Sequence, residues 1–134
     1  MQDTRSSNFL RRALQADAAM SGAAALLLLI GASALEPLLG LPATLLRYAG
    51  VLLVPFVAFV AFVATRVELS RPAIWVIILV NAAWTAASLL LLVSGWVNPT
   101  TLGYLFVVVQ AAAVAVFAEL QWVGLRRPTV AAAR

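Results

Sequence analysis

The sequence predicts an all-α membrane protein, an up-down bundle of four transmembrane helices with both termini cytoplasmic. Three observations carry that expectation. Hydrophobic residues make up 64% of the chain and charged residues 10%, with a mean hydropathy of +1.03. A soluble domain of 134 residues needs far more charge to cover its surface. Four apolar stretches, residues 13–35, 43–65, 73–93 and 102–125, each approach the ~20 residues that cross a bilayer as a helix. Finally, Arg5, Arg11, Arg12, Arg66, Arg71, Arg126, Arg127 and Arg134 all fall on one side of such a bundle, and only Arg47 lies towards the other. The excess of arginine on cytoplasmic loops then places both termini and the middle loop in the cytoplasm.

The elements follow in order. Residues 1–12 are a polar, basic cytoplasmic lead, with Ser7 or Asn8 able to cap the first helix. The first span, 13–35, is expected to stop at Glu36-Pro37. A cleaved signal peptide over residues 1–34 is the competing reading, because Ala32-Ser33-Ala34 is a small-residue cleavage pattern. It would leave three spans and an external mature N-terminus. Residues 38–42 form the first outer turn, and Pro42 suits the first turn of the second span. Pro55 lies mid-span, so a bend is expected there, with the Val51 carbonyl freed from its usual bond. Phe56, Phe59 and Phe62 read as packing or lipid contacts. Residues 66–71 are a tight polar loop, and Pro72 opens the third span. Residues 94–101 make the second outer turn, with Gly95, Asn98 and Pro99 as breakers and Trp96 as an interface anchor. The fourth span ends on Arg126-Arg127, and residues 128–134 are expected to be a disordered cytoplasmic tail.

Whole classes of chemistry are excluded by composition. The chain has no cysteine and no histidine, which rules out disulfides, thiol catalysis, His/Cys metal sites and His-ligated haem. No cofactor or metal is expected. Phosphate-binding glycine loops and hydrolase or zinc-protease motifs are missing, so the chain is not expected to be an enzyme. The net charge of +4 reflects arginines at helix ends rather than a nucleic-acid surface.

Polar residues inside the spans carry what functional signal there is, because an ionisable group at membrane depth is costly and usually faces protein or water. At about 1.5 Å per residue, Asp17 lies about 7 Å inward from Arg12, and Glu119 about 10 Å inward from Arg126. Asn81 and Ser21 come to about 13 Å. Asp17 and Ser21 share a helix face, while Asn81, Trp84, Thr85 and Ser88 form a polar stripe on the third helix. The expected cluster is therefore Asp17, Ser21, Asn81, Trp84 and Glu119, either as interhelical glue or as a proton, cation or substrate site. Gln110 is about half a turn round the helix from Glu119, so it is expected on a flank, against a third helix or another subunit. Ala18 with Gly22 and Ala19 with Ala23 fit the small-residue pattern of close helix contacts.

The segments Arg11 to Asp17 (RRALQAD), Leu39 to Pro42 (LGLP), Asn81 to Trp84 (NAAW) and Ala118 to Arg127 (AELQWVGLRR) resemble small four-span membrane proteins of bacteria to which no activity is attached. That resemblance spans nearly the whole chain and implies a multi-pass location in the bacterial inner membrane. Small multidrug-resistance transporters share the size, but their first-span acid is a glutamate, and here it is Asp17 near the cytoplasmic end. The expected role is accessory, structural or partner-binding, with the bilayer, a homo-oligomer or a membrane partner protein as contacts. The alternative is a small proton- or cation-coupled transporter or channel using Asp17 and Glu119.

Overall fold

The computed structural model describes residues 2–127, which form four helices: α1 (Gln2–Leu39), α2 (Ala43–Thr65), α3 (Arg71–Ser94) and α4 (Thr101–Arg126). All four are long and apolar enough to cross a membrane. At 23 residues, α2 is the shortest and measures about 34 Å, against a hydrocarbon core of about 30 Å. The helices pack as a bundle of two antiparallel hairpins, α1 with α2 and α3 with α4, joined where α1 lies along α4. The fourth side is nearly open, because α2 and α3 barely touch. Large apolar side chains such as Ile30, Leu52, Leu90 and Val109 point outward, as expected of a surface bathed in lipid. The expected tail, 128–134, lies outside the described residues.

The core has two layers. Near the chain termini, Leu10 and Leu14 of α1 meet Val60 and Val63 of α2, Ile74 and Ile77 of α3, and Leu125 of α4. Towards the α1–α2 and α3–α4 turns, Leu28 and Ala32 pack with Leu46, Leu53 and Val107. The polar site sits between these layers.

The first helix does not stop at Glu36-Pro37. It carries Pro37 in its last turn and ends at Gly40, whose φ of 68° is left-handed and whose N–H donates to the Glu36 carbonyl at 2.8 Å. A proline so close to the C-terminus removes only the bond to Ser33, which is a small loss for a helix about to end. Glu36 instead caps the next helix, its Oε1 accepting from the Ala43 N–H at 3.0 Å. Helix α2 runs on through Pro55, which cannot donate to Val51. Helix α3 starts on Ser70, whose hydroxyl accepts from Ala73 N–H at 3.3 Å, with Pro72 in the first turn. Thr100 caps α4 in the same way, accepting from Gly103 N–H at 3.0 Å.

Each end of the bundle is tied across helices. At the turn end, Thr100 donates its backbone N–H to the Leu39 carbonyl at 3.0 Å and its hydroxyl to the Leu38 carbonyl at 2.6 Å. Gly103 presses against the Leu39 carbonyl so closely that a Cβ would overlap it. At the termini end, Arg11 of α1 donates to the carbonyls of Ala64, Arg66 (2.8 Å) and Val67 (3.2 Å) where α2 ends. Arg71 of α3 donates to the Leu125 carbonyl at 2.9 Å where α4 ends. In both hairpins the leading helix thus supplies an arginine to the orphan carbonyls, and the negative dipole end, of the following helix.

Candidate functional site

Asp17 is fully buried in the middle of the bundle. Its Oδ1 accepts from the Ser21 hydroxyl at 3.0 Å, one helical turn further along α1. Its Oδ2 accepts from Asn81 Nδ2 of α3 at 2.8 Å and from Gln121 Nε2 of α4 at 2.7 Å. Asn81 Nδ2 also donates to Gln121 Oε1 at 3.1 Å, which closes a ring of three side chains from three helices. Asn81 and Gln121 are buried as well. Every contact on Asp17 is a donor, and all three donors are neutral residues. A carboxylate offers about four acceptor positions and no donor, so this surround matches it in kind.

A second polar tie lies nearer the turn end. Trp84 Nε1 donates to Gln110 Oε1 at 3.0 Å, and Gln110 Nε2 donates to Ser88 Oγ at 3.0 Å and to the Val107 carbonyl at 2.9 Å. Gln110 therefore faces α3 inside the bundle, not an outer flank. Trp84 belongs to this tie rather than to the Asp17 ring, although one cavity reaches both. Thr85 donates to the carbonyl of Asn81 at 2.9 Å, within its own helix.

Glu119, the last of the candidates drawn from the sequence, is not brought to the cluster. It is exposed on the outer side of α3 and α4, in an open groove of about 570 Å³ lined by four alanines with Thr85, Leu89 and Trp122. Gln121, two residues on and therefore about 200° round the helix, takes the inward place. Nor does Glu119 pair with Arg126, whose guanidinium stacks on the Trp122 ring 4.4 Å from its centroid. Among the described residues the Glu119 side chain makes no hydrogen bond and no ion pair. Asp17 of α1 thus meets the inner side of α4 while Glu119 lies on its outer side, and the two acids do not form a shared site.

Two cavities line the open side between α2 and α3. One, of about 240 Å³, touches Ser21 and Asn81 but is otherwise walled by Leu52, Leu53, Phe56 and Val80, with Trp84 and Val114. The other, of about 290 Å³, continues towards the turn end past Leu45, Ala49, Ser88 and Phe106. Their walls are overwhelmingly apolar, and Asp17 itself lines neither. Among the described residues no group of three acidic, His or Cys side chains could hold a metal ion.

The chain matches no family model, and no match was found among the curated proteins or the solved structures. The likeness drawn from sequence therefore extends to its coarse content, four apolar spans, and to no family.

Proposed function

We propose that this four-span membrane protein is an accessory, partner-binding component of a bacterial inner membrane, with both termini cytoplasmic, in which the Asp17 ring is a structural tie. The supporting observation is that side chains from two other helices converge on one buried carboxylate. Asp17 is buried, accepts from three donors, and lines neither of the two cavities on the open side, one of which reaches Ser21 and Asn81. A carrier or channel site needs exchangeable positions open to water on at least one side. Interhelical hydrogen bonds in membranes contribute about 0.6 to 2 kcal/mol each, so three helices joined at one carboxylate gain both stability and a fixed register.

The small cavity touching Ser21 and Asn81 favours a second reading, a proton or cation pathway through Asp17. Reconstitution into liposomes with an internal pH dye separates the two. The accessory reading expects identical proton leak in wild type and Asp17→Asn, with a lower melting temperature for the variant. Proton or cation flux that requires Asp17 replaces the accessory reading with the transport one.

A further inference from the structure

Glu119 is seven residues from the end of α4, about 10 Å inward from Arg126. Helical side chains lean towards the N-terminus of their helix, so Glu119 leans away from the nearer membrane boundary and not towards it. Two escapes are closed to it. Gln121 already fills the interior position on α4, and the one arginine on its own face, Arg126, is stacked on Trp122. An exposed carboxylate at that depth, without a partner, is costly in hydrocarbon.

Its surroundings are those of a helix-docking face. Ala82 and Ala86 lie four apart on α3, with Ala115 and Ala118 opposite them on α4, so a third backbone can approach closely between the two. The Thr85 hydroxyl in this groove is already committed to the Asn81 carbonyl. The groove therefore presents one carboxylate among four alanines, with Leu89 and Trp122 as its larger apolar walls.

We infer that the outer face of α3 and α4 around Glu119 docks a transmembrane helix of another protein that carries a lysine or arginine at the same membrane depth. The described residues of a second copy of this chain do not supply that group. Of its described arginines, Arg66, Arg71, Arg126 and Arg127 lie at or beside helix ends, Arg11 and Arg12 lie about ten residues into α1 where Arg11 meets the end of α2, and Arg47, nearest the turn end, is bonded to Ser33 at 2.6 Å. A two-fold pair through this face would set Glu119 against Glu119. The inference rests on the partner-binding reading and gives that partner a chemistry.

The test uses the full chain in vesicles with synthetic Leu/Ala transmembrane peptides, read by energy transfer between labelled peptide and labelled protein. One peptide carries a single lysine two turns from its end, and its control carries leucine there. A charge-assisted hydrogen bond in this setting predicts association of the lysine peptide about tenfold or more tighter than the control. Glu119→Gln should remove the preference, and Ala86→Leu should weaken both peptides by filling the groove. Both positions are exposed, and unchanged helical circular dichroism and melting would show that the variants fold. Equal binding of the two peptides, a preference that survives Glu119→Gln, or protein self-association that Glu119→Gln abolishes would each overturn the inference. Such a failure beside an Asp17-independent proton leak removes only the docking face, whereas Asp17-dependent flux removes the accessory reading itself.

Discussion

Gln121 of α4 donates to the Oδ2 oxygen of Asp17 in α1 at 2.7 Å, joining residues 104 positions apart in the chain. The bond lies on the interface that unites the two hairpins, and Asn81 of α3 braces it from the side. Breaking it should cost more than breaking a bond within one hairpin. Gln121→Leu strips a donor from Asp17 and the acceptor from Asn81, and a buried polar group left unmade costs about 1 to 3 kcal/mol. Asp17→Asn keeps the shape and can spare both amide donors by turning its NH2 to the Ser21 hydroxyl, which can accept, so it should cost less, about 1 kcal/mol. Unfolding in mixed detergent micelles, followed by circular dichroism, measures both. Losses below about 0.5 kcal/mol for both variants would show that the ring does not hold the bundle.

The two arginine ties predict unequal losses. Arg11 donates to three carbonyls and is half-buried, whereas Arg71 donates to one and is exposed. Arg11→Ala should therefore destabilise by about 1.5 to 3 kcal/mol, and Arg71→Ala by about 1 kcal/mol or less. Lysine offers a point charge rather than a fork, so Arg11→Lys should rescue poorly while Arg71→Lys rescues most of its loss. Amide hydrogen exchange reports the effect locally, with the expected rise at residues 63–68 for Arg11 variants.

Four spans are legible because membrane helices announce themselves by length and composition, and the caps at Ser70 and Thr100 lie where polar residues interrupt the apolar runs. The end of α1 is less legible. Glu36-Pro37 reads as a stop, yet a proline in a final turn costs one bond, and the actual stop is the left-handed Gly40. Depth and helix face bring Asp17, Ser21 and Asn81 within about one helical turn of each other, and hydrogen bonds from Ser21 and Asn81 meet at Asp17. Gln121 escapes such reasoning, because turning the costlier Glu119 inward forces Gln121 outward on the same helix. A signal against that choice is present in the chain. Gln110 and Gln121 are eleven residues apart, about three full turns, and share a face with Gly103, Val107 and Gly124, all three buried. Two amides on the stripe of closest packing outweigh one acid. The pairing order of the helices, with α2 and α3 apart, has no counterpart in hydropathy.

Side of the membrane can be read with single cysteines, since the chain has none of its own. The proposed orientation expects Asn98→Cys, in the turn before α4, to react with an impermeant maleimide added to intact cells. Leu69→Cys, in the loop between α2 and α3, should react only after permeabilisation. The reverse pattern would invert the bundle and move both termini outside.

The turn-end lock gives the sharpest contrast between two glycines. At Gly103 an added methyl overlaps the Leu39 carbonyl, which is backbone already committed to Thr100 and cannot move alone. Gly40 follows in the same turn, and its own left-handed conformation fixes where Leu39 points. Gly103→Ala must therefore separate α1 from α4 at this end, and overpacking of that kind costs about 1 to 3 kcal/mol. At Gly22, mid-way along α1, the same methyl would meet Val57 at an ordinary 3.7 Å. Gly22→Ala should accordingly be neutral or stabilise by up to about 1 kcal/mol, the helix-propensity gain of alanine over glycine. Melting temperatures of the two variants in one detergent should move in opposite directions, or Gly103→Ala alone should fall. A Gly103→Ala variant as stable as wild type would mean that Leu39 and Gly103 do not stand in contact, and that the two hairpins are held together by the Asp17 ring and the rest of the α1–α4 packing.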